Sequence, residues 1–269
     1  MRAAPTRASL KPHLPAALSI AGSDSGAGAG VQADLLTFAA RGVFGTTAIT
    51  CLTAQNPTGV AGVHAAPADF VRQQVQAVYA FFPVRAAKTG MLFDASIVDV
   101  VASFFEAHRE IRLVVDPVMI ATSGAVLLRE DAIAALIERL FPLAEVITPN
   151  LDEGAVLLGR RPQQRAELVE AAVCLASRYQ TSVLLKGGHL EGDRLLDVLA
   201  DPHGRVRRYE GNRIDGVDTH GSGCTLSAAI AAELALGRPL GESVALARRY
   251  LRRGMTHALT TGGRRFIAH

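Results

Sequence analysis

The chain of 269 residues has no tryptophan, three cysteines and three lysines, and each shortage narrows what it can be. Cys51, Cys174 and Cys224 are an odd number, widely separated and without a C-x-x-C pair, which argues against a disulfide framework and a zinc site. No apolar run approaches the ~20 residues of a membrane-spanning helix, so no membrane partner is expected. Aromatics make up 5% of a chain that is 49% hydrophobic and carries 25 glycines, which suits a packed α/β protein better than a β-sandwich. Arginine supplies nearly all of the 28 basic residues, against 25 acidic ones, for a net charge of only +3. The clearest basic cluster, Arg248, Arg249, Arg252 and Arg253, repeats at helical spacing with no aromatic platform. It reads as a solvated helix face, and no nucleic-acid partner is expected.

Several motifs are also missing. There is no Gly-Lys dipeptide and therefore no Walker A loop, which excludes a P-loop ATPase. Gly28 and Gly30 form a G-x-G, but Val31, Gln32 and Ala33 follow, so the third glycine of a dinucleotide fingerprint is absent. Neither a G-x-S-x-G elbow nor an H-E-x-x-H pair occurs. Residues 1–15 are basic and carry three prolines without a continuous apolar core, and read as a disordered tail rather than a signal peptide. No linker divides the rest, so residues 16–269 read as a single domain in a cytoplasmic protein.

What is present is a strict alternation. Short apolar runs at 17–21, 46–50, 85–88, 112–116, 145–148 and 182–186 predict strands. Helical patterns fall at about 29–42, 67–82, 94–108, 130–140, 151–158 and 163–179. Continuous apolar strands joined by helices predict a mostly parallel central sheet covered on both faces, a three-layer α/β/α sandwich. Residues 195–199 and 206–209 read as a hairpin, and two helices at about 222–236 and 240–260 finish the chain. In such sheets ligands sit beyond the carboxyl ends of the strands. Each predicted parallel strand ends in polar or glycine residues, from Gly22-Ser23-Asp24-Ser25-Gly26 after the first to Lys186-Gly187-Gly188-His189 after the sixth.

The segment from Asp218 through Gly221, Ser222, Gly223, Cys224 and Thr225 opens an alanine-rich helix. Unpaired amides and the positive dipole end there form an anion site. Those amides could hold the oxygens of a moving phosphoryl group. A thiol at a helix start is expected to have a lowered pKa. Asn150 and Glu153 form an N-x-x-E pair suited to organising Mg²⁺ through waters, or alternatively a helix cap with a first-turn acid. Lys186 could lie on nucleotide phosphates as a point charge, or reach solvent from a strand end.

Seven segments in order complete a resemblance. They are Ile20–Asp34, Thr53–Asn56, Lys88–Leu92, Asp116–Met119, Thr148–Glu153, Leu185–His189 and Asp218–Thr225. Together they make the chain similar, over roughly 16–260, to the hydroxymethylpyrimidine/phosphomethylpyrimidine kinases of thiamine biosynthesis, in the ribokinase-like superfamily. The resemblance implies an ATP- and Mg²⁺-dependent kinase. It would phosphorylate 4-amino-5-hydroxymethyl-2-methylpyrimidine and then its monophosphate. It further implies pyrimidine contacts at Gly22, Asp34, Thr53, Gln55 and Met91, and nucleotide contacts at Lys186, Asp116 and Thr219. The metal would be organised by Asn150, Glu153 through water, and Asp116. Gly221, Ser222 and Gly223 would cradle the phosphoryl group, with Cys224 facing the substrate hydroxyl and accepting its proton. Dimers are common in this superfamily, so a homodimer is expected.

A sibling pyridoxal kinase shares Lys88, Asp116, Lys186 and the 221–224 loop; Gln55 and Met91 favour the pyrimidine. A non-catalytic nucleotide-binding regulator would be expected to have lost the anion loop or Asn150 and Glu153, and all are intact. Two segments depart from the family pattern. Thr261–Phe266 replaces a glycine- and histidine-containing tail, and Thr122 stands where many relatives carry Lys.

Overall fold

The computed structural model describes residues 14–119, 130–188 and 192–269. Nine strands form one sheet: β1 (Ala16–Asp24), β2 (Phe44–Asn56), β3 (Gly59–Ala65), β4 (Val84–Thr89), β5 (Arg112–Val115), β6 (Val146–Ile147), β7 (Ser182–Lys186), β8 (Arg194–Ala200) and β9 (Val206–Asn212). Their order is β3-β2-β1-β4-β5-β6-β7-β8-β9. The six from β2 to β7 in that order run parallel, and β3, β8 and β9 are antiparallel additions at the two edges. The helices are α1 (Gly30–Ala40), α2 (Ala68–Phe81), α3 (Ala95–Ala107), α4 (Glu130–Ala135), α5 (Leu151–Leu158), α6 (Arg165–Tyr179), α7 (Ser222–Ala235) and α8 (Leu240–Thr256).

Alternating side-chain direction splits each strand between two cores. On β1, Leu18 and Ile20 face a layer with Val71, Val98, Phe105, Leu136 and Leu175 of the α2, α3 and α6 side. Ala17 faces the opposite layer, with Phe38 of α1, Ala228 to Ala232 of α7 and Val244 of α8. The expected three-layer α/β/α arrangement is what forms. Every residue of α7 from Thr225 to Ala235 is buried, because its small side chains let it lie between the sheet, α1 and α8. Glu233 shares that burial at 0% side-chain exposure, and pairs with Arg41 and with Arg238 at 2.7 Å.

The sequence-derived elements hold with three differences. β3 was not expected, since its Gly-Val-Ala-Gly-Val-His-Ala run is glycine-rich and mostly exposed; pairing with β2 along one edge creates it. The last helix ends at Thr256 rather than 260. Residues Leu259–Thr261 (β10) and Arg264–Phe266 (β11) instead form a hairpin around Gly262 and Gly263, whose φ values of +56° and +76° suit a two-residue turn. The helix expected over 130–140 is α-helical only to Ala135. It continues as a π-helical turn, Leu136–Leu140, and a 3₁₀ turn, Phe141–Leu143. Most of the predicted tail, the loop with Thr122, and His189 lie outside the described residues.

Removing one partner of a buried pair costs about 3–5 kcal/mol when it leaves a charge uncompensated. The double substitution Arg41→Ala with Arg238→Ala strands Glu233 and is expected to lower unfolding stability in urea by about that amount. Glu233→Gln removes the buried charge itself and is expected to cost about 1 kcal/mol.

Candidate active site

The polar residues converge where α1 and α7 begin, above the ends of β1, β4, β5 and β7. Gly221 caps α7 at φ +78°, and a Cβ there would lie 1.7 Å from the Gly28 carbonyl oxygen, so only glycine fits. Ser222 N–H donates to the Thr219 carbonyl at 3.0 Å, and Thr225 N–H to that of Gly221 at 2.8 Å. The amides of Gly223 and Cys224 make no such bond among the described residues, and stand at the positive end of a 14-residue helix. Thr219 is exposed on the approach to this turn.

On one side lies a buried ion pair. Lys88 Nζ donates to both Asp34 oxygens at 2.9 and 3.0 Å, and Ser19 Oγ donates to Oδ2 at 2.5 Å. Lys88 and Asp34 side chains have 0% exposure. Burial alone would drive the Lys88 ammonium to its neutral form; the nearby charges of Asp34 and Asp116 reverse this and hold it above the usual lysine range. Asp34, expected at the pyrimidine, therefore has both oxygens engaged by protein donors. Cys224 is half-buried, and burial pushes its thiol up despite the opposing pull of Lys88 and a bond from the Gly30 amide. The expected lowering at the helix start is thus corrected: desolvation outweighs the dipole.

On the other side, Asp116 Oδ1 accepts from Thr148 Oγ1 at 3.0 Å and Lys186 Nζ at 3.3 Å, while Oδ2 accepts from Ser227 Oγ at 3.1 Å. A Cβ on Gly223 would lie 3.4 Å from Lys186 Nζ and 3.6 Å from Asp116 Oδ2, so its backbone can approach this pair closely. Burial disfavours the Lys186 charge, but Asp116 and Glu153 keep its pKa raised. Asn150 and Glu153 form a reciprocal capping box at the start of α5. Asn150 Oδ1 accepts from the amides of Asp152 and Glu153, using both its lone pairs. Glu153 accepts from Asn150 N at 2.8 Å and Met119 N at 3.4 Å, and burial raises its pKa to about 7, with Lys186 pulling it down and Asp116 pushing it further up.

Among the described residues no three metal-ligating side chains cluster. Magnesium is nevertheless held in many phosphate sites by one or two carboxylates, waters and the substrate's own phosphates. The Asp116 and Glu153 oxygens fit that donor set, and Asn150 serves it by fixing Glu153.

The remaining expected residues lie toward the β2 edge. A Cβ on Gly22 would meet Cys51 Sγ at 2.8 Å and Met91 Sδ at 3.8 Å, so these three form one small apolar wall. Thr53 Oγ1 donates to the Ser23 carbonyl at 2.9 Å and ties β2 to β1. Gln55 is partly exposed, with its side-chain amide 3.0 Å from His220 Nε2. That nitrogen is also 3.0 Å from Asp24 Oδ2. Asp24, His220 and the charge role of Lys88 were not singled out from the sequence. Lys88 carried a signal, being one of three lysines and at a strand end; Asp24 and His220 are 196 residues apart, and only the fold joins them.

A family model described as phosphomethylpyrimidine kinase matches residues 24–268. The hydroxymethylpyrimidine/phosphomethylpyrimidine kinase of Rhizobium meliloti is 49% identical over 90% of this chain and 91% of its own. Phosphomethylpyrimidine kinase from Clostridium difficile superposes with a TM-score of 0.79 at 37% identity, over 90% of this chain and 99% of that one. An ADP complex of Bacillus subtilis pyridoxal kinase gives 0.87 at 34% identity, over 96% and 98%.

With a folded pKa of about 7 against an ordinary 4.5, Glu153 binds more proton in the native state between those values. Stability is therefore expected to fall as pH rises through this window, by up to about 3 kcal/mol. Urea unfolding at pH 5 and pH 8 should show a smaller fall for Glu153→Gln than for wild type; equal falls would refute the shift.

Proposed function

The chain belongs to the phosphomethylpyrimidine kinase family, and we propose that it transfers the γ-phosphoryl group of ATP to the hydroxymethyl group of 4-amino-5-hydroxymethyl-2-methylpyrimidine, and then a second to the monophosphate, in thiamine biosynthesis. The observation that carries this reading is the pair of unbonded amides at Gly223 and Cys224, flanked by the Lys88–Asp34 pair on one side and Lys186, Asp116 and Glu153 on the other. Phosphoryl transfer is largely a matter of positioning and charge neutralisation, which such a corridor supplies.

In this arrangement the 221–223 turn cradles the moving phosphoryl group, while Lys186 and Thr219 hold the nucleotide phosphates. Asp116, and Glu153 through water, would hold Mg²⁺, which would neutralise phosphate charge there. Gly22, Met91, Thr53 and Gln55 line the pyrimidine side, and Asp34, its charge balanced by Lys88, lies at the floor. Cys224 faces the hydroxyl. Its thiol is held neutral by burial and therefore orients the hydroxyl rather than accepting its proton. That proton passes to an oxygen of the transferred phosphoryl group as the new phosphorus–oxygen bond forms and the bond to the leaving diphosphate breaks, and a loose transition state requires no strong base. A single domain over 16–269, a homodimer and a cytoplasmic location complete the proposal.

A coupled ATP-consumption assay offering the hydroxymethylpyrimidine, its monophosphate and pyridoxal separately tests the substrate. Turnover with both pyrimidines is expected; turnover confined to pyridoxal would overturn the proposal. Cys224→Ala is expected to lower kcat about 100-fold with KM for ATP little changed, the cost of a hydroxyl no longer held in line for attack. Wild-type turnover in that variant would remove Cys224 from the chemistry.

A further inference from the structure

The loop that follows β1 and the turn that precedes α7 meet at one imidazole. His220 Nε2 lies 3.0 Å from Asp24 Oδ2 and 3.0 Å from the Gln55 side-chain nitrogen. Asp24 is a fixed acceptor. Its oxygens also take the Gly26 and Ala29 amides, each at 2.8 Å. A carboxylate can only accept, so Nε2 must carry the ring proton and donate it to Asp24. The NH₂ of Gln55 is a second donor and has no partner in that N–H. The contact is satisfied only with the amide turned, so that Oε1 faces the ring and the NH₂ points away; the two ends have the same shape.

The backbone around Gln55 is held independently. Its N–H donates to the Ser25 hydroxyl oxygen at 2.8 Å, and its carbonyl accepts from the Ser25 O–H at 2.7 Å. Arg264, on the β10–β11 hairpin, donates to the Pro57 carbonyl at 2.9 Å and to Asp218 at 3.1 Å. The hairpin of β2 and β3 is thus tied to the 218–221 turn at its tip. With the backbone pinned, the sense of the Gln55 amide is the freedom left for His220 to decide.

We propose that His220, oriented by Asp24, is a positioning residue that fixes the Gln55 amide so that its NH₂ end is offered to an acceptor ring nitrogen of the aminopyrimidine. This rests on the reading in which Gln55 lines the pyrimidine site. His220 touches neither substrate nor phosphate in this role. It acts on which ring is accepted rather than on the transfer.

The test is a double-mutant cycle on the full chain, with KM for the pyrimidine, KM for ATP and kcat measured separately. His220→Ala is expected to raise pyrimidine KM about 10-fold while kcat and KM for ATP stay within about two-fold. His220→Gln, which can return an N–H donor, is expected to recover most of that loss. In a Gln55→Ala background, His220→Ala is expected to have no further effect on pyrimidine KM. Asp24→Asn serves as the second route if His220→Ala does not fold: it too is expected to raise pyrimidine KM, and to do so only when Gln55 is present. Additive effects, or a loss confined to kcat or to ATP, would overturn the positioning role. A wild-type enzyme inert toward the pyrimidine would overturn the function reading, and with it the assignment of Gln55.

Discussion

Two opposite charges with no exposure to water, Lys88 and Asp34, organise this molecule's functional end. Neither could be buried alone, because desolvating a single ion costs several kcal/mol. Their pairing fixes the end of β4 against the first turns of α1, and Ser19 on β1 completes the arrangement. The backbone consequence is that α1 and α7 begin side by side, with the Gly30 amide bonded to the Cys224 sulfur. A buried pair of this kind is weak evidence for stability. It positions a cation beside the thiol and the unbonded α7 amides, in surroundings where charge acts strongly.

A second charged group, Lys186 with Asp116 and Glu153, repeats the same solution across the α7 turn. Glycine makes the crowding possible. At Gly221 any side chain would strike the Gly28 carbonyl, and at Gly223 the backbone itself faces the Lys186–Asp116 pair. The buried, small-residue body of α7 is the other half of that design: Ala228, Ala229, Ala231 and Ala232 let the helix lie close to the strands whose ends it serves. Binding energy, helix dipole and side-chain charge all meet at one short turn. That suits a kinase, in which the protein positions and neutralises more than it reacts.

Much of the architecture was legible in advance. The apolar runs of β1, β4, β5 and β7 announce buried parallel strands, because both faces of such strands need hydrophobic residues. Asn150 and Glu153 announce α5 through their capping spacing. The edge strand β3 was not legible, since glycine and exposed residues carry no alternation, and it exists only by pairing with β2. The end of α8 was not legible because His257, Ala258, Leu259 and Thr260 include no glycine or proline to stop the helical pattern, while Gly262 and Gly263 close a hairpin just beyond.

The sequence by itself determined the layered α/β class, the strand-end location of the polar residues and the anion-binding turn before α7. Each depends on periodicity or on near neighbours in the chain, which local sterics and hydrogen bonding read directly. Only the tertiary structure decided that Asp34 is neutralised by Lys88, that Cys224 is a protonated rather than an activated thiol, and that His220 stands between Asp24 and Gln55. These depend on desolvation and on contacts between residues 54 to 196 positions apart, quantities that exist only once the chain has closed around them.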